Sequence, residues 1–266
     1  YSNITNLIII CCHAIFLPDI SSPFFPLHSV YDESNWNLAL FQRSNPVTEK
    51  PSEHLTFLSH ILAGLDTLST GIWAGNTILI FSGGATARHV TELSEARSYY
   101  HAAISHSLSR GENGWGRAGK LHWEGRLLLE EQATDSFQNL LFSIALFRQK
   151  TGHYPSQIRI ITHAFKASRF LELHAPAIRW PARRIRVQGI NPIMTQEEYT
   201  ETVSGEEQFG YLPFLQDPFG NGKVLSKKRM KRGWDEGVLK EVGEGLERSV
   251  KALLRGEVVG RLPWEE

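Results

Sequence analysis

Two apolar runs in this chain each break off into a small set of polar residues. Thr77-Ile-Leu-Ile-Phe-Ser82 opens into Gly83-Gly84-Ala85-Thr86, and Ile158-Arg-Ile-Ile-Thr162 opens into His163-Ala-Phe-Lys166-Ala-Ser-Arg169. A nearly continuous apolar run fits a strand covered on both faces, which is the situation of a strand in a parallel sheet. Each run reads as such a strand ending at a helix start. In open α/β sheets, ligands bind in the crevice outside those strand ends.

The remaining pattern extends this into strand–helix alternation. Leu7–Cys12 reads as a first central strand, Arg126–Leu129 as a short third one, and Ile185–Gln188 as the last, with Thr77–Phe81 and Gln157–Thr162 between them. Helices are expected at Ser34–Phe41, at Glu53–Leu68 with Phe57, Ile61, Leu62, Leu65 and Leu68 at helical spacing, and at Asp135–Lys150. Another starts near Thr91–Glu95, and a short one covers Lys166–Leu173. Gly111–Gly119 carries four glycines and reads as a loop. The expected fold is α/β: a Rossmann-like three-layer sandwich with a mainly parallel sheet of about five strands. It occupies residues 1–192. Residues 193–266 form a C-terminal helical and irregular appendage on the same domain. There Gln196–Glu207 is acidic, Pro213–Gly222 is turn-rich, Lys223–Arg232 is basic, and Glu236–Leu254 reads as one amphipathic helix.

Composition narrows the partners. The 266 residues balance 28 Lys plus Arg against 28 Asp plus Glu, so no global field draws the chain to nucleic acid or to an anionic membrane. The first apolar run is too short for a membrane span and lacks the marks of a signal peptide. Cys11 and Cys12 are adjacent, so on a strand they face opposite ways and read as buried thiols of an intracellular protein. Asn3-Ile4-Thr5 is a formal glycosylation sequon that reads as chance beside a buried strand. Beginning at Tyr1, the chain reads as trimmed, and what precedes it is not judged.

Several polar groups invite a chemical reading, each beside a plainer one. The Ser82-Gly83-Gly84-Ala85-Thr86 turn lets backbone approach a ligand closely, or is simply a tight strand-to-helix turn. It lacks the spacing of a dinucleotide fingerprint or a Walker loop. Lys166 and Arg169 share one helix face and make an anion pocket or a solvated basic end. Asp135 and Ser136 can cap the following helix, with Asn139 one turn in. Glu130 or Glu131 is the candidate acid/base carboxylate, or an ordinary exposed glutamate. His13 ends the first strand as a site group or a satisfied core group. No HxH or HExxH spacing points to a metal.

The order of these motifs resembles the domain-of-unknown-function 218 family, the YdcF/SanA/ElyC-like proteins, in particular its fungal branch. The residues that carry the resemblance run from Cys12-His13-Ala14-Ile15 through Ser82-Gly83-Gly84 with Thr86 to Ser94-Glu95-Ala96. They continue through Glu130-Glu131, Asp135-Ser136, Asn139, Phe165-Lys166, Arg169-Phe170, His174 and Trp180-Pro181 to Asp217-Pro218-Phe219-Gly220 and Lys227-Lys228-Arg229. Where the bacterial pattern has a histidine before its arginine, this chain has Lys166 before Arg169. The resemblance implies a Rossmann-like sheet and, for a ligand, S-adenosylmethionine or another nucleotide-like or phosphorylated small molecule. It favours a ligand-facing glycine turn and a basic Lys223–Arg232 arm folded over the sheet top.

The resulting expectation is a hydrolase or transferase acting on a phosphorylated or nucleotide-like metabolite. His13, Glu131 and Asp135 are its catalytic set. Ser82, Gly83, Gly84, Thr86, Glu95, Ser136, Asn139, Thr162, Lys166 and Arg169 are its ligand-binding set. The rival expectation is a non-catalytic module that binds S-adenosylmethionine or a nucleotide.

Overall fold

The computed structural model describes residues 1, 3–18, 28–112 and 115–265. Strand β1 (Asn6–Cys11) is buried at every position and lies at the centre of the sheet. A small antiparallel ribbon, β2 (Ile15–Phe16) with β3 (Trp36–Asn37), follows it. β4 (Thr77–Ser82), β5 (Leu127–Glu130), β6 (Gln157–Thr162) and β7 (Ile185–Gly189) complete a parallel sheet in the order β5-β4-β1-β6-β7. All five expected sheet strands are present to within one residue at each end. In register, Ile9 stands between Ile80 and Ile160.

Helices α1 (His54–Thr67), α2 (Glu95–Ser109) and α3 (Gly116–Trp123) belong to the two crossovers that precede β5, and α4 (Ser136–Thr151) leads from β5 to β6. Alternation along β1 sorts the two layers. Ile8, Ile10 and Cys12 pack with Phe57, Ile61 and Tyr99 on the α1–α2 side. Leu7, Ile9 and Cys11 pack with Leu141, Ile144 and Phe147 of α4. The two thiols are free and buried on opposite faces. The chain winds outward from β1 to β4 and β5, then returns past β1 to β6 and β7. The switch point therefore lies between β1 and β6, where a crevice opens at the strand ends.

Three expected helices take another form. Ser34–Phe41 is instead a 3-10 turn (Glu33–Asn35), strand β3 and a second 3-10 turn (Leu40–Gln42). Trp36 fixes this path: it is buried, and its indole N–H donates to the Val30 carbonyl at 3.0 Å. Lys166–Leu173 is a 3-10 turn (Ala164–Lys166) followed by a π-turn (Arg169–His174) that runs into α5 (Ala175–Ala177). Pro176, early in α5, has no N–H to offer the Glu172 carbonyl, so the α-helical hydrogen bond is missing where the π-turn passes into α5. Glu236–Leu254 is split into a short and a longer helix, because Gly245 adopts φ +71° between them. The glycine-rich Gly111–Gly119 segment holds the start of α3, while its residues 113–114 lie outside the described residues.

The remaining elements are α6 (Gln196–Glu206), a π-turn (Glu207–Tyr211), α7 (Leu212–Gln216), α8 (Lys223–Lys231), α9 (Val238–Val242) and α10 (Arg248–Leu254). They share the core on the α4 side: Phe214, Leu225, Val250, Leu253 and Trp264 join the cluster that holds Ile9 and Ile160. Trp264 donates its indole N–H to the Ile178 carbonyl at 2.8 Å and packs against Tyr154 and Trp180. Among the described residues, no helix is long and apolar enough to cross a membrane.

Because the tail and the sheet share one core, Trp264→Ala is expected to cost about 3–5 kcal/mol. It should lower the melting temperature of the whole chain in a single cooperative transition, followed by circular dichroism. Two separate transitions, with only one shifted, would show that the tail folds by itself.

Candidate functional site

The ends of β1, β4 and β6 deliver His13, Gly83 and Thr162 to one rim of the sheet. There they line a cavity of about 760 Å³. His13 is held from both sides: its Nε2 lies 3.1 Å from Thr162 Oγ1, and its Nδ1 lies 3.3 Å from Lys166 Nζ. An ammonium only donates, so beside a charged Lys166 the Nδ1 accepts and Nε2–H donates to the threonine hydroxyl. The His13 ring stacks on His163 at 4.6 Å, His163 stacks on Phe165 at 4.8 Å, and His60 meets His163 edge-on at 5.1 Å. Burial pushes His13 and His163 well below the ordinary histidine range, with the Lys166 charge adding to it, and brings His60 to about 4. All three rings are neutral at pH 7. Among the described residues, no group of three or more His, Cys, Asp or Glu side chains is arranged to hold a metal ion.

Lys166 makes no ion pair with a carboxylate among the described residues. Loss of hydration, then repulsion from Arg169, pulls its ammonium down to about 8. Arg169 is buried, and its Nε lies 3.2 Å from Glu206 Oε1 without the alignment of a hydrogen bond. The opposite wall comes from the tail. Arg229 donates through Nε to Asp135 Oδ2 at 2.5 Å and through its terminal nitrogens to Asn221 Oδ1 and the Phe219 carbonyl. Arg232 donates to the Thr134 carbonyl at 2.8 Å, and Lys228 donates to the Phe209 carbonyl at 3.2 Å. Burial, then Arg232 and Arg169, lower the Lys228 ammonium as well. Lys166, Lys228 and Arg232 thus face the cavity with no carboxylate in contact among the described residues.

Ten of the expected residues line this cavity: His13, Gly83, Thr86, Glu95, Asp135, Ser136, Asn139, Thr162, Lys166 and Arg169. Several of them are committed to the fold. Asp135 caps α4 by accepting from the Gln138 N–H at 2.9 Å, and its other oxygen holds Arg229. Ser136 Oγ lies 2.8 Å from His174 Nε2. Asn139 donates to the Ser82 carbonyl and to Ser82 Oγ. Ser82 in turn donates to Glu130 Oε2 at 2.5 Å, closing a buried knot that ties β4, β5 and α4. Ser82 lies beneath the cavity floor, not on it. Desolvation raises the Glu130 carboxyl to about 7.

The glycine turn differs from an open anion cradle. The Gly83 and Gly84 amides donate to the carbonyls of Glu130 and Ala133, and the Thr86 amide donates to Gly84. What the glycines supply is close approach. A Cβ at Gly83 would sit 2.9 Å from Glu95, and one at Gly84 would sit 3.0 Å from the Ala133 carbonyl oxygen.

Glu131 is the clearest departure from expectation. It points away from His13, accepting from Arg97 at 2.6 Å and from Ser94 Oγ at 2.6 Å, so no His13–Glu131 pair exists. Five carboxylates line the cavity, Glu53, Glu95, Asp135, Glu201 and Glu206; burial raises Glu95, hydrogen-bonded by Thr86 Oγ1, and Glu53, paired with Lys50. Lys228 and Arg232 lie outside the expected ligand-binding set, although they belong to the basic Lys223–Arg232 arm expected over the sheet top. Glu206, Phe41 and Phe209 also line the cavity and gave no signal at all.

Two measurements follow from this geometry. Lys166 is less basic folded than its ordinary 10.5, so between about pH 8 and 10.5 the unfolded chain binds more protons and stability rises with pH. Denaturant melts should show that Lys166→Met removes this rise relative to the unaltered chain. An identical slope in both would mean that the amine is well hydrated. Arg229→Ala strands the buried Asp135 carboxylate and should cost about 3–5 kcal/mol. The double variant Asp135→Asn with Arg229→Ala should recover part of that loss; a strictly additive loss would rule out the coupling.

A curated relative, the uncharacterized protein YOR238W of Saccharomyces cerevisiae, is 27% identical over 259 residues, covering 84% of this chain and 82% of its own length. No family model matches the chain, and no solved structure matches it. What the chain is similar to is thus an uncharacterized yeast protein of comparable length.

Proposed function

We propose that this protein binds a phosphorylated or nucleotide-like metabolite at the sheet rim and acts on it as a hydrolase or transferase. The observation that carries the reading is the set Lys166, Lys228 and Arg232, three cations on one cavity without carboxylate partners among the described residues. Lys166 is half-buried and Lys228 and Arg232 stand exposed on the cavity wall, and an anion bound among them relieves their mutual repulsion. Arg169, already near Glu206, adds a fourth positive group. Glu95 is the proton-transfer carboxyl of the proposal, since it faces the cavity with a raised pKa. His13 is a positioning group that fixes Lys166 from Thr162.

The motif order, with its polar residues at the ends of a parallel sheet, supports placing the chain among the YdcF-like proteins of the domain-of-unknown-function 218 family. Free buried cysteines agree with an intracellular small-molecule protein. One observation favours a second reading, a non-catalytic module for S-adenosylmethionine or a nucleotide. Two of the three expected catalytic residues, Glu131 and Asp135, are engaged in ion pairs with Arg97 and Arg229.

Calorimetry with inorganic phosphate and pyrophosphate tests the anion site. Lys228→Ala and Arg232→Ala should each weaken binding by about 2 kcal/mol, roughly thirtyfold. Affinity should fall as pH rises past about 8, where Lys166 loses its proton. Undiminished affinity in both variants would remove the basis of the proposal. Phosphate release from p-nitrophenyl phosphate and nucleoside phosphates tests turnover: Glu95→Gln should abolish it and keep binding, whereas binding without turnover in the unaltered chain selects the module.

A further inference from the structure

The geometry points to a nucleotide as the ligand, with its anionic group on the inner cations and its base in an aromatic mouth formed by Phe41, Phe165 and Phe209. This rests on the anion-binding reading above and narrows its ligand class. Phe41 and Phe209 line the cavity while 73% and 63% exposed. Rings left in water at the edge of a charged cavity are unexplained by core packing. They come from separate segments, the 3-10 turn Leu40–Gln42 and the π-turn Glu207–Tyr211.

Phe165 adds a preference for a flat partner. It is the outer ring of a parallel column, His13 on His163 at 17° and His163 on Phe165 at 15°, and it too lines the cavity, half-buried. A planar base gains stacking on such rings beyond the area it buries, which an alkyl chain does not. The aromatic and cationic parts also adjoin. Lys228 donates to the Phe209 carbonyl at 3.2 Å, and Lys166 Nζ lies 6.0 Å from the Phe165 ring centre. A ligand matching both must join an anion to a flat ring over a short distance, as a nucleotide does. The cavity, about 760 Å³, is of ordinary small-molecule size.

Calorimetry on the full chain with AMP, ribose 5-phosphate and dodecyl phosphate separates the parts. AMP should bind about tenfold tighter than ribose 5-phosphate. Phe41→Ala and Phe209→Ala replace exposed side chains, so folding is preserved. Each should weaken AMP severalfold and leave ribose 5-phosphate within about twofold. Equal binding of AMP and ribose 5-phosphate would overturn the aromatic mouth while the anion site stands. Dodecyl phosphate binding tighter than AMP would overturn it in favour of an alkyl chain. No binding of any of the three would overturn this inference and the anion site together.

Discussion

The contact between Asp135 and Arg229 governs how the site is assembled. One oxygen of the carboxylate starts α4 and the other anchors the tail, so a single side chain couples the sheet's central crossover to the wall opposite it. Both partners are buried, and neither tolerates loss of the other at low cost. Arg229 is supported in turn by Asn221 and the Phe219 carbonyl, which fold the turn before α8 around its guanidinium. Lys228 lies beside it in sequence and Arg232 one turn further, so anchoring Arg229 sets where both cations stand.

Exclusion of water then shapes the chemistry of the cavity. The same loss of hydration lowers Lys166 and keeps His13, His60 and His163 uncharged. It also raises Glu95 and Glu130. These two carboxyls have opposite fates. Glu130 is closed in by Ser82 and by the amides of Gln132 and Ala133, whereas Glu95 borders open space. The difference follows from position: Glu130 ends β5 beneath the Gln132–Ala133 turn, and Glu95 opens the first turn of α2.

The sheet was legible because its strands are apolar on consecutive residues, a pattern that water-exposed strands do not carry. Helices with a clean 3.6-residue stripe, α1 and α4, were equally plain. Segments decided by one tertiary contact were not: Trp36, tied to Val30, turns a helical-looking stretch into a strand. At the site, the strand-end residues His13, Thr162, Lys166 and Arg169 were readable because topology alone brings them to one rim. Glu131 misled because adjacent glutamates at a strand exit face opposite ways and local sequence does not say which faces inward. Lys228 and Arg232 lie some sixty residues beyond the last rim residue in the chain, and only folding of the tail brings them back.

That return has a consequence for truncation. Every sheet strand is complete by Gly189, whereas the cations of α8 and the buried Trp264 lie beyond it. A fragment cut after the last strand would keep the strand-end residues His13 and Thr162 yet lose Lys228, Arg232 and the apolar cover over α4, so one cut removes a cavity wall and bares part of the core.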